Sequence, residues 1–178
     1  QESIQKGMKM VPISFNLSKA SFEDEPFMQE YMEVFQQFDI PKEYIEFELL
    51  ESISMDNSDK LIKVVDTIHK AGFRCALDDF GSGYSSMSVL ARVPIDIIKL
   101  DRSLFQNPYR DIDKFLIVDG LLDILHHFPV QIVAEGVEDE TVAEHMRQDG
   151  CDMIQGFYYY RPMPMDEFQR LIAEQGEC

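Results

Sequence analysis

The chain has 178 residues, of which 45% are hydrophobic and 28% are charged, and its formal net charge at pH 7 is −17. This length and composition suit one globular domain with a sizeable core, whereas the acidic balance excludes a general nucleic-acid-binding surface, which needs clustered Lys and Arg. No apolar run approaches the roughly 18 residues of a membrane-spanning helix, and the few, unpatterned cysteines indicate a reducing, cytoplasmic environment.

In chain order, six short apolar segments each end in a polar side chain. They span residues 11–16, 44–51, 74–79, 95–101, 130–135 and 152–155, and the strands predicted within them cover 11–16, 44–50, 74–78, 96–101, 130–134 and 152–155. Between them, apolar residues recur every three or four positions and predict helices over about 26–38, 58–71, 111–127, 140–148 and 165–174, with a shorter helix ending near residue 92. Alternating strands and helices indicate a parallel sheet. In a closed barrel of this kind the carboxyl ends of the strands meet at one mouth, where active sites are built.

Two adjacent carboxylates, Asp78 and Asp79, end the third of these segments. Side chains alternate between the two faces of a strand, so this pair can share a cation only if the strand ends there and the backbone turns. Gly81 and Gly83 permit such a turn. Taken alone, the segment fits an ordinary surface turn equally well, because Asp, Gly and Ser favour turns for backbone reasons.

The other strand ends offer side chains of similar chemistry. Each has an ordinary alternative: Asn16 can cap a helix, Lys99 can be a solvated or ion-paired strand residue, and Glu135 can belong to a turn. Their joint occurrence at successive strand ends makes coincidence improbable. The pattern therefore indicates an acidic metal site at the mouth of the sheet.

Six motifs resemble, in order and spacing, the EAL domain, the bacterial cyclic-di-GMP phosphodiesterase. They are NLS at 16–18, ELLES at 48–52, DDFGSGYSS at 78–86, KLDR at 99–102, AEGVE at 134–138 and QGF at 155–157. The resemblance implies a TIM-like (β/α)8 barrel, two Mg²⁺ or Mn²⁺ ions, and hydrolysis of cyclic di-GMP to linear pGpG. Two such ions would activate water and neutralise charge on the phosphodiester.

The resemblance also implies a role for each matching residue. The metal ligands would be Asn16, Glu48, Asp78, Asp79 and Glu135, all of which offer the oxygen atoms that hard cations prefer. Lys99 would lie beside the nucleophilic water or the scissile phosphate, and Asp101 would position it. Glu51 would anchor the loop that follows Asp79. Glu138 and Gln155 would support metal geometry and substrate placement.

The chain departs from the family pattern in two ways. Leu50 stands where the family commonly has Thr, and we expect it to face the helices. The family also begins with two further strands that carry the Glu-Ala-Leu signature, and nothing before Val11 resembles them. Since a closed barrel of this type needs about eight strands, residues 1–178 are expected to form an N-terminally truncated EAL domain with six βα units, which would associate through its open edge or dissolve poorly.

The resemblance implies a cytoplasmic domain that binds cyclic di-GMP, forms a homodimer, and is fused to upstream sensory or diguanylate-cyclase-like domains. The full-length protein could be membrane-anchored through other parts. A non-catalytic EAL module, acting as a cyclic-di-GMP receptor or a protein-interaction scaffold, is the main alternative. Another metal-dependent TIM-barrel hydrolase is a weaker one. Retention of the double Asp, Lys99 and Glu135 favours the enzyme, because a pure binding module does not need a complete metal set.

Overall fold

The computed structural model of the chain describes residues 2–5, 7–8, 10–18, 27–50, 58–82, 87–105 and 115–175. The strands are β1 (Ile13–Asn16), β2 (Ile45–Leu50), β3 (Arg74–Phe80), β4 (Ile97–Leu100), β5 (Gln131–Ala134) and β6 (Met153–Ile154). The helices are α1 (Glu2–Gln5), α2 (Phe27–Phe35), α3 (Ser58–Lys70), α4 (Met87–Arg92), α5 (Leu116–Leu125), α6 (Glu140–Gln148) and α7 (Met165–Gln175). Short 3-10 turns cover Lys42–Tyr44 and Arg102–Leu104.

The six strands form one parallel sheet in which strand order follows chain order, from β1 to β6. This confirms the predicted alternation of strands and helices and the TIM-like class of fold. Because neighbouring strands run in the same direction, their carboxyl ends lie along one edge of the sheet. That edge is where the sequence places its acidic residues. In the described part of the chain, the sheet begins at β1 and ends at β6 without closing.

The helices cover the outer face of the sheet. Buried residues of α3 lie at positions 61, 64, 65 and 68, which is the spacing of one helical face. They belong to the same hydrophobic cluster as the strand residues Phe47, Leu49 and Leu77. Each large apolar side chain buried there contributes roughly 1.5–3 kcal/mol. This layer therefore holds the strands in the register that brings their carboxyl ends together.

The inner face of the sheet is polar at its base, near the amino ends of the strands, and apolar in its middle. At the base, Arg74 donates hydrogen bonds to Glu46 at 3.0 Å and to Gln131 at 2.8 Å, and Ser14 donates to Glu46 at 3.2 Å. Since Arg74 is on β3 and Gln131 is on β5, the sheet is curled enough for side chains to bridge strands that are not neighbours. The apolar layer above consists of Ala76, Ile97 and Val133. It separates the basal cluster from the mouth.

Across the described ranges, no helix combines the length and the apolar character needed to cross a lipid bilayer.

Gly156, which follows β6, lies against the backbone of the loop that follows β5. A Cβ at this position would be 2.1 Å from the carbonyl oxygen of Val137 and 2.4 Å from its nitrogen, and backbone atoms cannot move aside as a side chain can. We expect Gly156→Ala to lower the free energy of unfolding by about 1–3 kcal/mol, the usual cost of overpacking. Urea denaturation followed by circular dichroism measures this difference.

Gly120 provides the matched control. It is exposed in the middle of α5, and an added Cβ would meet no atom within 4 Å. Gly120→Ala is therefore expected to raise the free energy of unfolding by roughly 0.5–1 kcal/mol, because Ala loses less backbone entropy in a helix. Equal stability of Gly156→Ala and the parent chain would show that the two loops do not meet as described.

Candidate active site

Lys99 is the centre of the polar cluster at the mouth. It lies on β4 and is 8% exposed. Its Nζ atom is 2.5 Å from Glu48 Oε1 on β2, 2.5 Å from Glu135 Oε1 after β5, and 3.5 Å from Asp78 Oδ1 on β3. Three of the predicted metal ligands thus converge on one ammonium group, and they come from strands whose carboxyl ends share one edge of the sheet.

A bulge in β3 allows both adjacent aspartates to face this cluster. Leu77 pairs with Ile98 and Phe80 pairs with Leu100, so β3 has one more residue than β4 between the two pairs. Within the bulge, Asp79 has a φ of +57°. Bulges of this kind change the direction of a side chain without ending the strand. The expectation that the strand must end at the double Asp is therefore wrong, because β3 continues to Phe80.

The electrostatics of the cluster show an excess of negative charge. Burial raises the pKa of Glu135 to about 7, although hydrogen bonding to Lys99 opposes that rise and the charge of Asp78 adds to it. Burial likewise raises the pKa of Asp79, and the charges of Asp78 and Asp101 raise it further.

For Lys99, in contrast to Glu135 and Asp79, the surroundings favour the charged form. Burial alone would lower its pKa, but hydrogen bonds to Glu135 and Glu48 outweigh burial and hold the pKa well above its ordinary value. Lys99 is therefore a permanent cation at neutral pH. It neutralises only part of the charge of the carboxylates around it.

The side chains at the mouth fit hard divalent cations. Carboxylate and amide oxygens are the ligands that Mg²⁺ and Mn²⁺ prefer. A bound cation would offset both the burial and the neighbouring negative charges that raise the pKa values of Glu135 and Asp79. Asn16 ends β1 in register with Glu48 and is exposed, so its amide lies at the same edge of the sheet.

The remaining predicted residues lie at the rim of the mouth. The Asp101 carboxylate accepts a hydrogen bond from the backbone N–H of Ser103 at 3.0 Å, which caps the 3-10 turn, and its charge also acts on Asp79. Glu138 and Gln155 line a cavity of about 280 Å³ beside Glu135, together with Asp101, Arg102, Gly136, Gly156 and Phe157. Glu51 lies outside the described residues.

Arg102 is a feature of this rim to which the sequence assigned no role. Its guanidinium Nη1 lies 3.5 Å from Glu138 Oε1. A Cβ on Gly136 would be 2.9 Å from the Arg102 Cβ, so glycine at this position lets the arginine cross the loop. The sequence signal for Arg102 is its position directly after Asp101 in the KLDR motif.

Leu50 does not face the helices as the sequence suggested. Its neighbour Leu49 is fully buried in the core beneath the helices, whereas Leu50 is 37% exposed. Since side chains alternate along a strand, Leu50 shares the inner face with Glu48 and Glu46. Leu50, which pairs with Asp78 in the sheet, therefore places an apolar side chain beside the acidic cluster.

The sheet is parallel and curled, and it carries carboxylates and a buried lysine at the carboxyl ends of its strands. These features place the chain in the class of TIM-like proteins whose acidic mouth suits metal ions. The EAL domain model matches residues 2–162. The chain therefore belongs to the EAL domain family.

Known proteins resemble the chain in sequence and in structure. It is 32% identical over 169 residues to the cyclic di-GMP phosphodiesterase PdeB of Shewanella oneidensis, covering 92% of this chain and 20% of PdeB. The EAL domain of Mycobacterium smegmatis DcpA superposes with a TM-score of 0.87 at 28% identity, covering 97% of this chain and 78% of that one. The PaMucR phosphodiesterase in complex with c-di-GMP superposes with a TM-score of 0.79 at 30% identity, covering 88% and 70%. The chain spans about a fifth of the length of the curated relatives it matches.

Proposed function

We propose that the chain hydrolyses one phosphodiester bond of cyclic di-GMP to give linear pGpG. The observation that carries the proposal is the convergence of Glu48, Asp78 and Glu135 on the buried Lys99 ammonium at the mouth of the sheet. The names of PdeB and of the PaMucR complex support this substrate. A site that only bound the dinucleotide would not need so many carboxylates beside its phosphates, since they would repel it.

Two divalent cations, Mg²⁺ or Mn²⁺, would be held by Asn16, Glu48, Asp78, Asp79 and Glu135. When bound, such ions lower the pKa of water and neutralise charge on the phosphodiester oxygens. The carboxylate partners of Lys99 keep its ammonium group protonated, and this positive charge would stabilise charge that develops on the phosphate. Asp101 holds the turn beside Asp79, and Glu138 and Gln155 line the cavity in which the substrate would be placed.

We further propose that two additional strands complete the barrel next to β1. A groove of about 710 Å³ lies on this side of the sheet and is lined largely by aromatic and aliphatic side chains, among them Phe15, Val34 and Phe38, which are 44%, 58% and 46% exposed. Exposed apolar groups of this extent mark a surface that packs against something. In this proposal residues 1–178 are the larger part of an EAL domain, and Glu51 anchors the loop that follows Asp79.

The proposed setting of the domain is a longer cytoplasmic signalling protein. Sensory or diguanylate-cyclase-like domains would precede it, and homodimerisation would involve the loop that follows Asp79. The length of the relatives, which greatly exceeds that of the chain, supports further domains.

A hydrolysis assay with Mg²⁺ or Mn²⁺ tests the proposed function. It compares the 178-residue chain with a longer version that includes two preceding strands, and it offers each protein cyclic di-GMP and the generic diester bis(p-nitrophenyl) phosphate. We expect turnover of cyclic di-GMP, strongly preferred over the generic diester, in the longer version. Binding without turnover in both versions would favour a receptor instead, and equal turnover of the two substrates would indicate another kind of metal-dependent hydrolase.

A further inference from the structure

We propose that Asp119, His145 and Asp149 form a second metal site, on the outer helices of the barrel and distinct from the mouth. Within the described residues, these three form a group of His, Cys, Asp or Glu side chains whose ligand atoms all lie within 4.8 Å of one another. The site joins α5 to the end of α6, the two helices on either side of β5 in the chain. The ion that it suits is Zn²⁺ or a similar transition metal.

The three ligand atoms already surround one point. His145 Nε2 lies 2.7 Å from Asp119 Oδ1 and 3.0 Å from Asp149 Oδ2. Zinc binds imidazole nitrogen and carboxylate oxygen at about 2.0–2.2 Å in tetrahedral geometry, so two ligand atoms on one ion lie about 3.4 Å apart. The observed separations are shorter than that value by less than 1 Å. A small outward movement of the side chains would admit the ion.

Two features orient the ligands toward that point. The imidazole of His145 stacks on the ring of Phe115, with centroids 3.6 Å apart and planes inclined by 11°. His145 and Asp149 are four residues apart across the end of α6, which places both on one side of the helix. Helical metal sites use the same spacing between their ligands. Asp119 then supplies the third ligand from α5.

The crowding of carboxylates argues for a cation in addition to the ion pair. Carboxylate oxygens of Asp119 and Asp149 lie within 4.8 Å of each other, and Asp123 also acts on Asp149 electrostatically. Carboxylates at this distance repel one another, and a divalent ion between them relieves the repulsion more fully than one imidazole can.

Accessibility and ligand type select the metal. The side chains of Asp119, His145 and Asp149 are 41%, 26% and 32% exposed, so an ion can enter from solvent and keep water in its open positions. Mg²⁺ and Ca²⁺ prefer oxygen ligands alone, whereas imidazole combined with carboxylates suits Zn²⁺, Co²⁺ or Ni²⁺. The two proposed sites should therefore differ in metal preference.

Isothermal titration of the EDTA-treated chain with Zn²⁺ tests this proposal. The titration is run in a background carrying Asp78→Asn and Asp79→Asn, so that binding at the mouth does not obscure the second site. We expect one equivalent of Zn²⁺ to bind in this background, and at least tenfold weaker binding after His145→Gln or Asp149→Asn. Titration with Co²⁺ adds a direct signature, because a nitrogen ligand changes the visible absorption of the ion.

Glu144→Gln is the matched control. Glu144 is exposed on α6, and its carboxylate forms an ion pair with Arg147 rather than with a residue of the proposed site. It should leave Zn²⁺ binding unchanged, and circular dichroism establishes that each variant is folded. Unchanged isotherms in both His145→Gln and Asp149→Asn would overturn the proposal. So would lower stability of these variants without any loss of Zn²⁺ binding, which is the behaviour of a plain ion pair. The readout is independent of cyclic-di-GMP hydrolysis.

Discussion

Replacement of Asp78 by Asn or of Glu135 by Gln is expected to abolish hydrolysis of cyclic di-GMP, lowering turnover by roughly 100-fold or more. Loss of a group that merely supports a metal ligand already costs about 10–100-fold, and each of these changes removes the charge of a proposed ligand itself. Both side chains face the Lys99 ammonium, at 3.5 Å and 2.5 Å respectively. Steady-state kinetics and the metal content of each purified variant are measured together.

These substitutions should leave the fold in place because they preserve the size of each side chain. Burial already disfavours the charged form of Glu135, whose pKa is about 7, so a neutral amide there does not introduce a new buried charge. Glu144→Gln makes the same chemical change at an exposed position on α6 and should retain full activity. Normal turnover by either mouth variant, with unchanged metal content, would contradict the ligand assignment.

Replacement of Lys99 by Met is expected to have two large effects. Turnover should fall by about 10²–10³-fold, the usual cost of removing one preorganised group that stabilises charge in a transition state. In EDTA, the free energy of unfolding should also fall by about 3–5 kcal/mol, because the buried Glu48 and the partly buried Glu135 lose the cation that each contacts at 2.5 Å. Urea denaturation with and without divalent cations measures the second effect.

The metal dependence of this stability distinguishes a metal site from a plain ion-pair network. If Mg²⁺ or Mn²⁺ binds the carboxylates, it should restore more stability to Lys99→Met than it adds to the parent chain. Lys63→Met, at an exposed position of α3, is the matched control and should change the free energy of unfolding by less than about 0.5 kcal/mol. Equal responses of Lys99→Met and the parent chain to the cations would argue that the carboxylates do not hold a metal.

The strands and the covering helices follow from the sequence because burial imposes a regular pattern on it. The positions 61, 64, 65 and 68 predict the buried face of α3, and the structure confirms it. Most strand ends were also predictable, since the apolar runs stop beside polar residues, but β3 continues past the double Asp to Phe80. The boundaries differ where the pattern is weakest. The strand predicted over 152–155 is only Met153–Ile154 (β6), and the helix predicted to end at residue 38 ends at Phe35 (α2).

The details of the mouth depend on contacts that no local pattern records. Alternation along a strand predicts that Asp78 and Asp79 point to opposite faces, and only the register against β4 shows the bulge that changes this. Lys99 on β4 meets Glu48 on β2, across the intervening strand β3, because the sheet is curled. The basal contact of Arg74 with Gln131, separated by 57 residues, has the same cause.

The cluster of Asp119, His145 and Asp149 could not be predicted from the sequence for a related reason. His145 and Asp149 have a spacing that can be read within one helix, but Asp119 lies on a different helix, 26 residues before His145. Only the packing of α5 against α6 brings the three together. Such a site lies on helices and therefore leaves no pattern at the strand ends.

Product analysis by mass spectrometry in H₂¹⁸O most directly tests the claim that this acidic mouth hydrolyses a phosphodiester. The protein, in the version with two preceding strands, is incubated with cyclic di-GMP and Mn²⁺ or Mg²⁺, and in parallel with EDTA. We expect linear pGpG that carries one ¹⁸O atom on its terminal phosphate, formed only when the metal is present. Cyclic di-GMP recovered intact, or pGpG formed equally well in EDTA, would contradict the account.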